Sequence, residues 1–337
     1  MKKCLTIGLD LGNFDVKTQN TVTPSGFAAY STLPYGTEKY VYFNNTYYVP
    51  NNQRFSYERD KTASENAIVL SLLGISAEIL KEAEKQNKRK MDAAEKDPTK
   101  ASKVIGVQGE LDRLEEIRLG IGLPPTHVST LEGKTKKYYE NYLKDGIEYI
   151  YNGYKISFKL TEVRCYPQDF AAVLTYRPKD REESAISYPN FYAVDIGGWT
   201  VDVVSVVNGR PTMELCDSKP LGVLAMYDKM AKELELKTGL RLDQTDLECI
   251  LKDEKTLLSN EVIESVKELA NEWYKNIMSS LKQFGLKLDM YPVIFIGGGA
   301  QLFKKNIKAD KSIAKYEFIP GARANAIGYA TLMELNK

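Results

Sequence analysis

YAVDIGGWTVDVV, residues 192–204, is a short apolar strand that carries an acid near its end, Asp195, then two glycines, Gly197 and Gly198, then a second strand with another acid, Asp202. Packing has no use for a carboxylate in so apolar a strand, because a charge taken out of water is costly unless it is paired. Glycines beside it free the backbone for turns and for close approach by another group. The pattern points to a ligand.

It also occurs twice. Leu9-Asp10-Leu11-Gly12-Asn13-Phe14-Asp15-Val16-Lys17 lies over Val194-Asp195-Ile196-Gly197-Gly198-Trp199-Thr200-Val201-Asp202. Both read apolar, Asp, apolar, Gly, any, aromatic, any, Val, charged. Each copy follows a short apolar strand, 4–9 and 191–194, and runs into another strand-like segment. A third strand is expected after the turn at 23–26 in the first copy and after Asn208-Gly209, a strong hairpin signal, in the second. Internal repetition of this kind predicts two similar α/β halves, each opening with an antiparallel meander.

An Asp-apolar-Gly turn between strands has a definite chemistry. Successive backbone N–H groups can point at an anion, which makes a phosphate cradle. The Asp at the strand end offers a hard oxygen to Mg²⁺, usually through water, since magnesium keeps much of its hydration. One such turn means little, because turns use Asp and Gly everywhere. Two copies facing each other would hold a nucleotide's phosphates between two domains, with Asp10 and Asp195 beside the metal. A third element follows a buried strand at 292–296, where Gly297-Gly298-Gly299-Ala300 enters a helix and would let a nucleoside lie against the backbone. Gly133-Lys134-Thr135 ends like a P-loop, but Val128 stands where the first glycine is required, so that pattern fails.

The rest of the chain sets bounds. Its 337 residues, 43% hydrophobic, suffice for about two domains. With 46 basic and 45 acidic residues it has no global charge for nucleic acid or membrane. Cys4, Cys165, Cys216 and Cys249 lack CxxC spacing, which argues against zinc and a disulfide framework and fits a reducing cytoplasm. A single histidine, His127, rules out a two-His metal site and is read as structural. Two lysines precede the N-terminal apolar run, but Asp10 interrupts it too early for a signal peptide or membrane span. KYVYFNNTYYV (39–49) reads as an aromatic hairpin packing a small subdomain. The charged segment 76–118 reads as helix with a solvated face, broken near Asp97-Pro98, before a strand at 117–123. Helices are expected at 222–238, stopping at Gly239, and at 261–284, where Val262, Val266, Leu269, Trp273, Ile277, Leu281 and Phe284 recur at helical spacing.

DLGNFDVK (10–17), DIGGWTVD (195–202) and IGGGA (296–300) resemble, in that order, the phosphate-1, phosphate-2 and adenosine motifs of the actin superfamily. VRCYPQDFAAVL (163–174) and PGARANAIGYATL (320–332) resemble its two connecting helices. The hairpin 39–49 and the run GLPPTH (122–127) are most similar to plasmid-segregating proteins of the ParM type. The resemblance implies a duplicated actin-like, RNase H-like fold with two domains around a nucleotide cleft: 1–170, with a helix at 320–337 returning to it, and 171–319. It implies ATP or GTP with Mg²⁺ facing Asp10 and Asp195, and phosphate contacts from Gly12, Asn13 and Lys17 on one side and Gly197, Gly198 and Trp199 on the other. Gly297, Gly298 and Gly299 would border the nucleoside, and Lys237 would reach it from the helix 222–238. Gln168, after Pro167, would orient the attacking water; Asp169, next door, is a rival. A carboxamide orients water but is a poor proton acceptor, so hydrolysis should be slow. The implied function is a filament-forming NTPase moving plasmid DNA, with head-to-tail self-assembly and a DNA-binding adaptor of the ParR type in place of direct nucleic-acid contact. A small-molecule kinase of the same superfamily is the main alternative; a chaperone-like or regulatory ATP-binding protein is another.

Overall fold

The computed structural model describes residues 1–53, 55, 60, 62, 64–125 and 128–335, excepting the side chains of 213–215. His127, and with it the end of the run 122–127, lies outside the described residues. The chain folds as two compact units, one of residues 1–175 with 323–337, the other of 176–322.

The first unit comprises β1 (Cys4–Leu11), β2 (Asp15–Lys17), β3 (Val22–Pro24), β4 (Phe27–Tyr30), β5 (Val41–Phe43), β6 (Thr46–Pro50), α1 (Asn66–Lys96), α2 (Gly106–Leu111), β7 (Glu116–Leu123), α3 (Val128–Leu143), β8 (Ile147–Tyr151), β9 (Tyr154–Pro167) and α4 (Phe170–Thr175). The second comprises β10 (Asn190–Ile196), β11 (Val201–Val207), β12 (Arg210–Lys219), α5 (Val223–Thr238), α6 (Gln244–Leu251), α7 (Asn260–Gln283), β13 (Val293–Ile296), α8 (Gly297–Leu302), α9 (Lys304–Ala309) and β14 (Tyr316–Phe318). The chain then re-enters the first unit as α10 (Ala324–Leu335).

The two sheets share one plan. The first runs β3-β2-β1-β7-β9 and the second β12-β11-β10-β13-β14. In each, the first three strands in sequence form an antiparallel meander and the next two add in parallel beside the opening strand. Even the register repeats: Asp10 pairs with Lys17 and Leu11 with Val16, as Asp195 pairs with Asp202 and Ile196 with Val201. Beyond β9 the first sheet continues through β8, β5, β6 and β4, giving nine strands among the described residues. The hairpin at 39–49 belongs to this extension, with Tyr42 and Tyr47 rings 4.5 Å apart and β5 paired to β8. Asn44 and Asn45 both have positive φ, as a two-residue hairpin turn requires, and so do Asn208 and Gly209.

In the second unit α7 turns Val262, Val266, Leu269, Tyr274, Ile277 and Leu281 into the core, against β-strand residues Val194, Ile196 and Phe295. Trp273, on the same spacing, is only half-buried and donates its indole N–H to Leu221 O at 3.0 Å. In the first unit the apolar start of α1, with Leu72, Leu73, Ile75 and Ile79, covers Ile7, Leu9, Ile117 and Leu119. The other face of β1 and β7 takes α10 at backbone contact. A Cβ on Gly8 would fall 1.9 Å from Ala326 O, and one on Gly120 3.0 Å from Tyr329 O. Gly8→Ala must therefore lift the helix from the strand, with an expected loss of about 1–3 kcal/mol of stability. A lower denaturant midpoint at unchanged slope would show it, and an unchanged midpoint would refute the contact.

Three expectations are corrected. The third strand of the first meander is β3 itself, which overlaps the segment 23–26 read as a turn, because Val22–Pro24 pairs with β2 while Phe27–Tyr30 crosses to β6. The first connecting element stays a strand as far as Pro167, and its helix is only α4. The segment from 76 is not purely a solvated face, since Ser76, Glu78, Ile79 and Ala83 are buried on α1.

Candidate functional site

Parallel neighbours put strand ends on one edge of a sheet, and in open α/β sheets ligands lie beyond the carboxyl ends of the strands. Asp10 near the end of β1 and Gln168 just past the end of β9 stand on such an edge in the first unit, with β7 between them, about 10 Å apart by strand spacing. Asp195 near the end of β10 and Gly297 just past the end of β13 stand on the equivalent edge of the second.

The turn after β1 runs from Gly12 to Asp15. A Cβ on Gly12 would fall 2.6 Å from Asp15 O, so glycine is needed for the chain to fold back this tightly. Ser25 holds the turn, donating its hydroxyl to Gly12 O at 2.7 Å and its N–H to Phe14 O at 3.2 Å. Since a trans peptide points its C=O and N–H in opposite directions, the Asn13 N–H is turned away from Ser25. Lys17, opposite Asp10 on β2, brings its Nζ to 4.0 Å from Asp10 Oδ2. Asp10 is buried and Lys17 half-buried, so the amine sits where it can meet an anion arriving at the turn.

In the second unit the turn 197–200 is held by the start of α5. Val223 N–H donates to Gly197 O at 3.1 Å, Leu224 N–H to Gly198 O at 2.8 Å, and Gly222 N–H to Trp199 O at 3.0 Å. By the same peptide geometry the N–H groups of Gly198 and Trp199 point away from α5, as a pair of anion donors would. Gly297 has φ +89° and a Cβ there would fall 2.0 Å from Asp195 Oδ1, so this glycine closes against the carboxylate itself. Gly299 is buried against Ile196, whereas Gly298 is exposed. All three glycines lie within the first turn of α8.

Asp202 faces Asp195 directly across the strands, where the first unit has Lys17. Burial pushes the Asp202 carboxyl up to about 6; the hydroxyls of Ser218 and Thr200 oppose this, and the charges of Asp195 and Asp217 add to it. Like charges directly opposite are destabilising, so the pair suits a nearby cation. Among the described residues no three His, Cys, Asp or Glu side chains gather as a metal site. Asp10 and Asp195, each near the carboxyl end of the opening strand of its own unit, are hard oxygen donors of the kind Mg²⁺ takes.

Lys237 is not brought to this edge. It is exposed in the last turn of α5, fourteen residues beyond Val223 and so about 21 Å along the axis from the helix start that holds Gly197. Sequence reasoning missed Ser25, Gly222 and Glu78. A Cβ on Gly222 would fall 2.3 Å from Gly198 O, and the signal was a glycine opening a helix after an apolar residue. Glu78 accepts hydrogen bonds from the Thr18 hydroxyl and the Asn20 side chain, and from Asn20 N–H at 3.0 Å, thereby tying the segment after Lys17 to α1. Its signal was an acid three residues from Ile75 on the apolar face of the helix.

Residues 193–309 match a family model described as archaeal actin homologue MreB-like, C-terminal. A search of curated proteins finds no match. The chain is similar in structure to Ta0583, an archaeal actin homologue crystallised in complex with ADP, at 18% identity and a TM-score of 0.68, with 98% of this chain and 99% of that one covered. It is also similar to the 15-stranded ParM filament of Clostridium botulinum, at 18% identity and a TM-score of 0.65, covering 99% of this chain and 100% of that one. The apo psk41 ParM protein is similar at 16% identity and a TM-score of 0.64, covering 99% and 98%. The chain thus has the two-domain α/β fold of the actin homologues. Within that class its likeness extends to the ParM proteins over nearly its whole length.

Proposed function

We propose that the protein is a nucleoside triphosphatase that binds Mg-ATP or Mg-GTP at the two Asp-Gly turns and polymerises head to tail into filaments for plasmid DNA segregation in the cytoplasm. The observation that carries this reading is the turn built twice in one register, each copy placing an acid and glycine amides at the carboxyl edge of a parallel sheet. Gly12, Asn13 and Lys17 contact phosphate from the first unit, and Gly197, Gly198 and Trp199 from the second, while Gly297, Gly298 and Gly299 border the nucleoside. A bound Mg²⁺ would supply charge neutralisation at the phosphates. Gln168 orients the attacking water. The ADP complex of the archaeal homologue supports nucleotide binding, and the ParM filament supports self-assembly. Head-to-tail contacts between unlike surfaces give an open filament. A ParR-type adaptor carries the DNA, in keeping with the balanced charge. No helix among the described residues is long and apolar enough to cross a membrane, and no membrane partner is invoked.

Light scattering and sedimentation test the proposal. Purified protein should assemble on addition of Mg-ATP or Mg-GTP and stay dispersed with nucleotide and EDTA. Phosphorylation of a sugar or carboxylate with no sedimenting polymer over a range of concentrations would assign the chain to the small-molecule kinases instead.

A further inference from the structure

Asp169 is held in an unusual way. Its φ is +61°, a left-handed conformation that L-residues other than Asn and Asp rarely adopt. It is 1% exposed, so it is no solvated loop residue. Asn325, in the first turn of α10 and 6% exposed, grips it at two points. The Asn325 Oδ1 accepts the Asp169 backbone N–H at 2.8 Å, and the Asn325 Nδ2 donates to Asp169 Oδ1 at 3.1 Å. This reciprocal pair fixes the orientation of the carboxamide, because a flipped amide would set donor against donor and acceptor against acceptor.

The neighbours of Asp169 show what the grip controls. Gln168 N–H donates to Leu123 O at 2.9 Å, extending the β7-β9 ladder by one residue. Phe170 N–H folds back onto Gln168 O at 2.5 Å, and Val173 N–H takes Asp169 O at 3.0 Å, starting α4. Gln168 is thus fixed on its N-terminal side by the sheet and on its C-terminal side by the left-handed residue that Asn325 holds. A side chain can be aimed only as well as its backbone is fixed, and Gln168 is anchored where a strand stops and a helix begins.

We infer that Asn325 is a positioning residue for Gln168, acting through the Asp169 turn, and that Asp169 serves as the grip for Asn325 rather than as a water-orienting acid. The inference rests on the proposed hydrolysis. Its two parts are a carboxamide at the start of α10, and a buried carboxylate that accepts a hydrogen bond from that carboxamide.

Hydrolysis and hydrogen exchange test it together, in the full chain. Asn325→Ala should lower kcat by roughly tenfold, with the KM for nucleotide within about twofold of wild type, as loss of positioning without loss of binding predicts. Adding Asp169→Gly to that variant should restore most of the rate, because glycine takes positive φ without a grip. Wild-type turnover in Asn325→Ala overturns the inference, and so does a double variant that is slower still, since the carboxylate would then act directly. Without nucleotide, amide exchange at Phe170 and Val173 should quicken at least about tenfold in Asn325→Ala, as loss of local protection predicts. Unchanged exchange overturns the grip whatever the enzyme does. A wild-type protein that neither binds nor hydrolyses nucleotide overturns the proposed function, and the exchange measurement then still decides the grip. Should Asn325→Ala fail to fold, Asn325→Asp replaces it, keeping an acceptor for the Asp169 N–H while setting two carboxylates face to face, with the same outcomes deciding.

Discussion

Gln168→Ala is expected to slow nucleotide hydrolysis by roughly a hundredfold or more while leaving nucleotide-driven assembly intact. The side chain stands just past β9 on the carboxyl edge of the first sheet, two strands from Asp10. It takes no part in the hydrogen bonds that hold the glycine turns, so its removal leaves the phosphate donors in place. Filaments formed with the triphosphate should therefore persist, because the step that ages them is slowed. Sedimentation followed over time, beside phosphate release, reads both effects. Wild-type rates of hydrolysis and disassembly would end the assignment of Gln168. A hydrolysis defect confined to Asp169→Asn would transfer the role to that residue.

Asp195→Ala should weaken binding of the magnesium nucleotide by about 10–100-fold, the usual consequence of removing a group that holds a metal through its water shell, and assembly should fail with it. The chain should stay folded. Asp195 is half-buried at the end of β10, beyond the fully buried run Phe191, Tyr192, Ala193 and Val194 that packs the strand. Its loss also relieves the like-charged pairing with Asp202. Titration calorimetry with the Mg-nucleotide, beside far-UV circular dichroism, separates the two roles. Loss of the dichroism signal at ordinary temperature would make Asp195 a structural residue.

The repeat made the fold legible before any coordinates. Apolar-Asp-apolar-Gly at 9–12 and 194–197 located both opening hairpins, and the structure places both pairs in one register. Long periodic elements such as α7 and punctuated ones such as α5, ended by Gly239 at φ +68°, were equally open to reading. What escaped was set by distant partners. Asn152 and Gly153, both at positive φ, turn the β8-β9 hairpin, and went unread because a long mixed segment hid the strands on either side. Phe27–Tyr30 has no local reason to leave the meander, and does so because β6 offers it a partner. In the site, the acids and glycines announced themselves by being out of place in apolar strands. Ser25, Glu78 and Asn325 are ordinary residues for their segments, and gain their roles from partners 13, 58–60 and 156 residues away.

The close seating of α10 on Gly8 and Gly120 bears on the order in which the molecule is made. Translation delivers β1 and β7 well before α10, and one face of these strands lacks its covering helix until residues 324–335 emerge. The second unit is continuous from 176 to 322, so it can mature on the ribosome while the first still waits. During that interval the glycine-lined face of the earlier unit is open to chaperones and to misassembly, and deleting α10 would leave every molecule in that unfinished state.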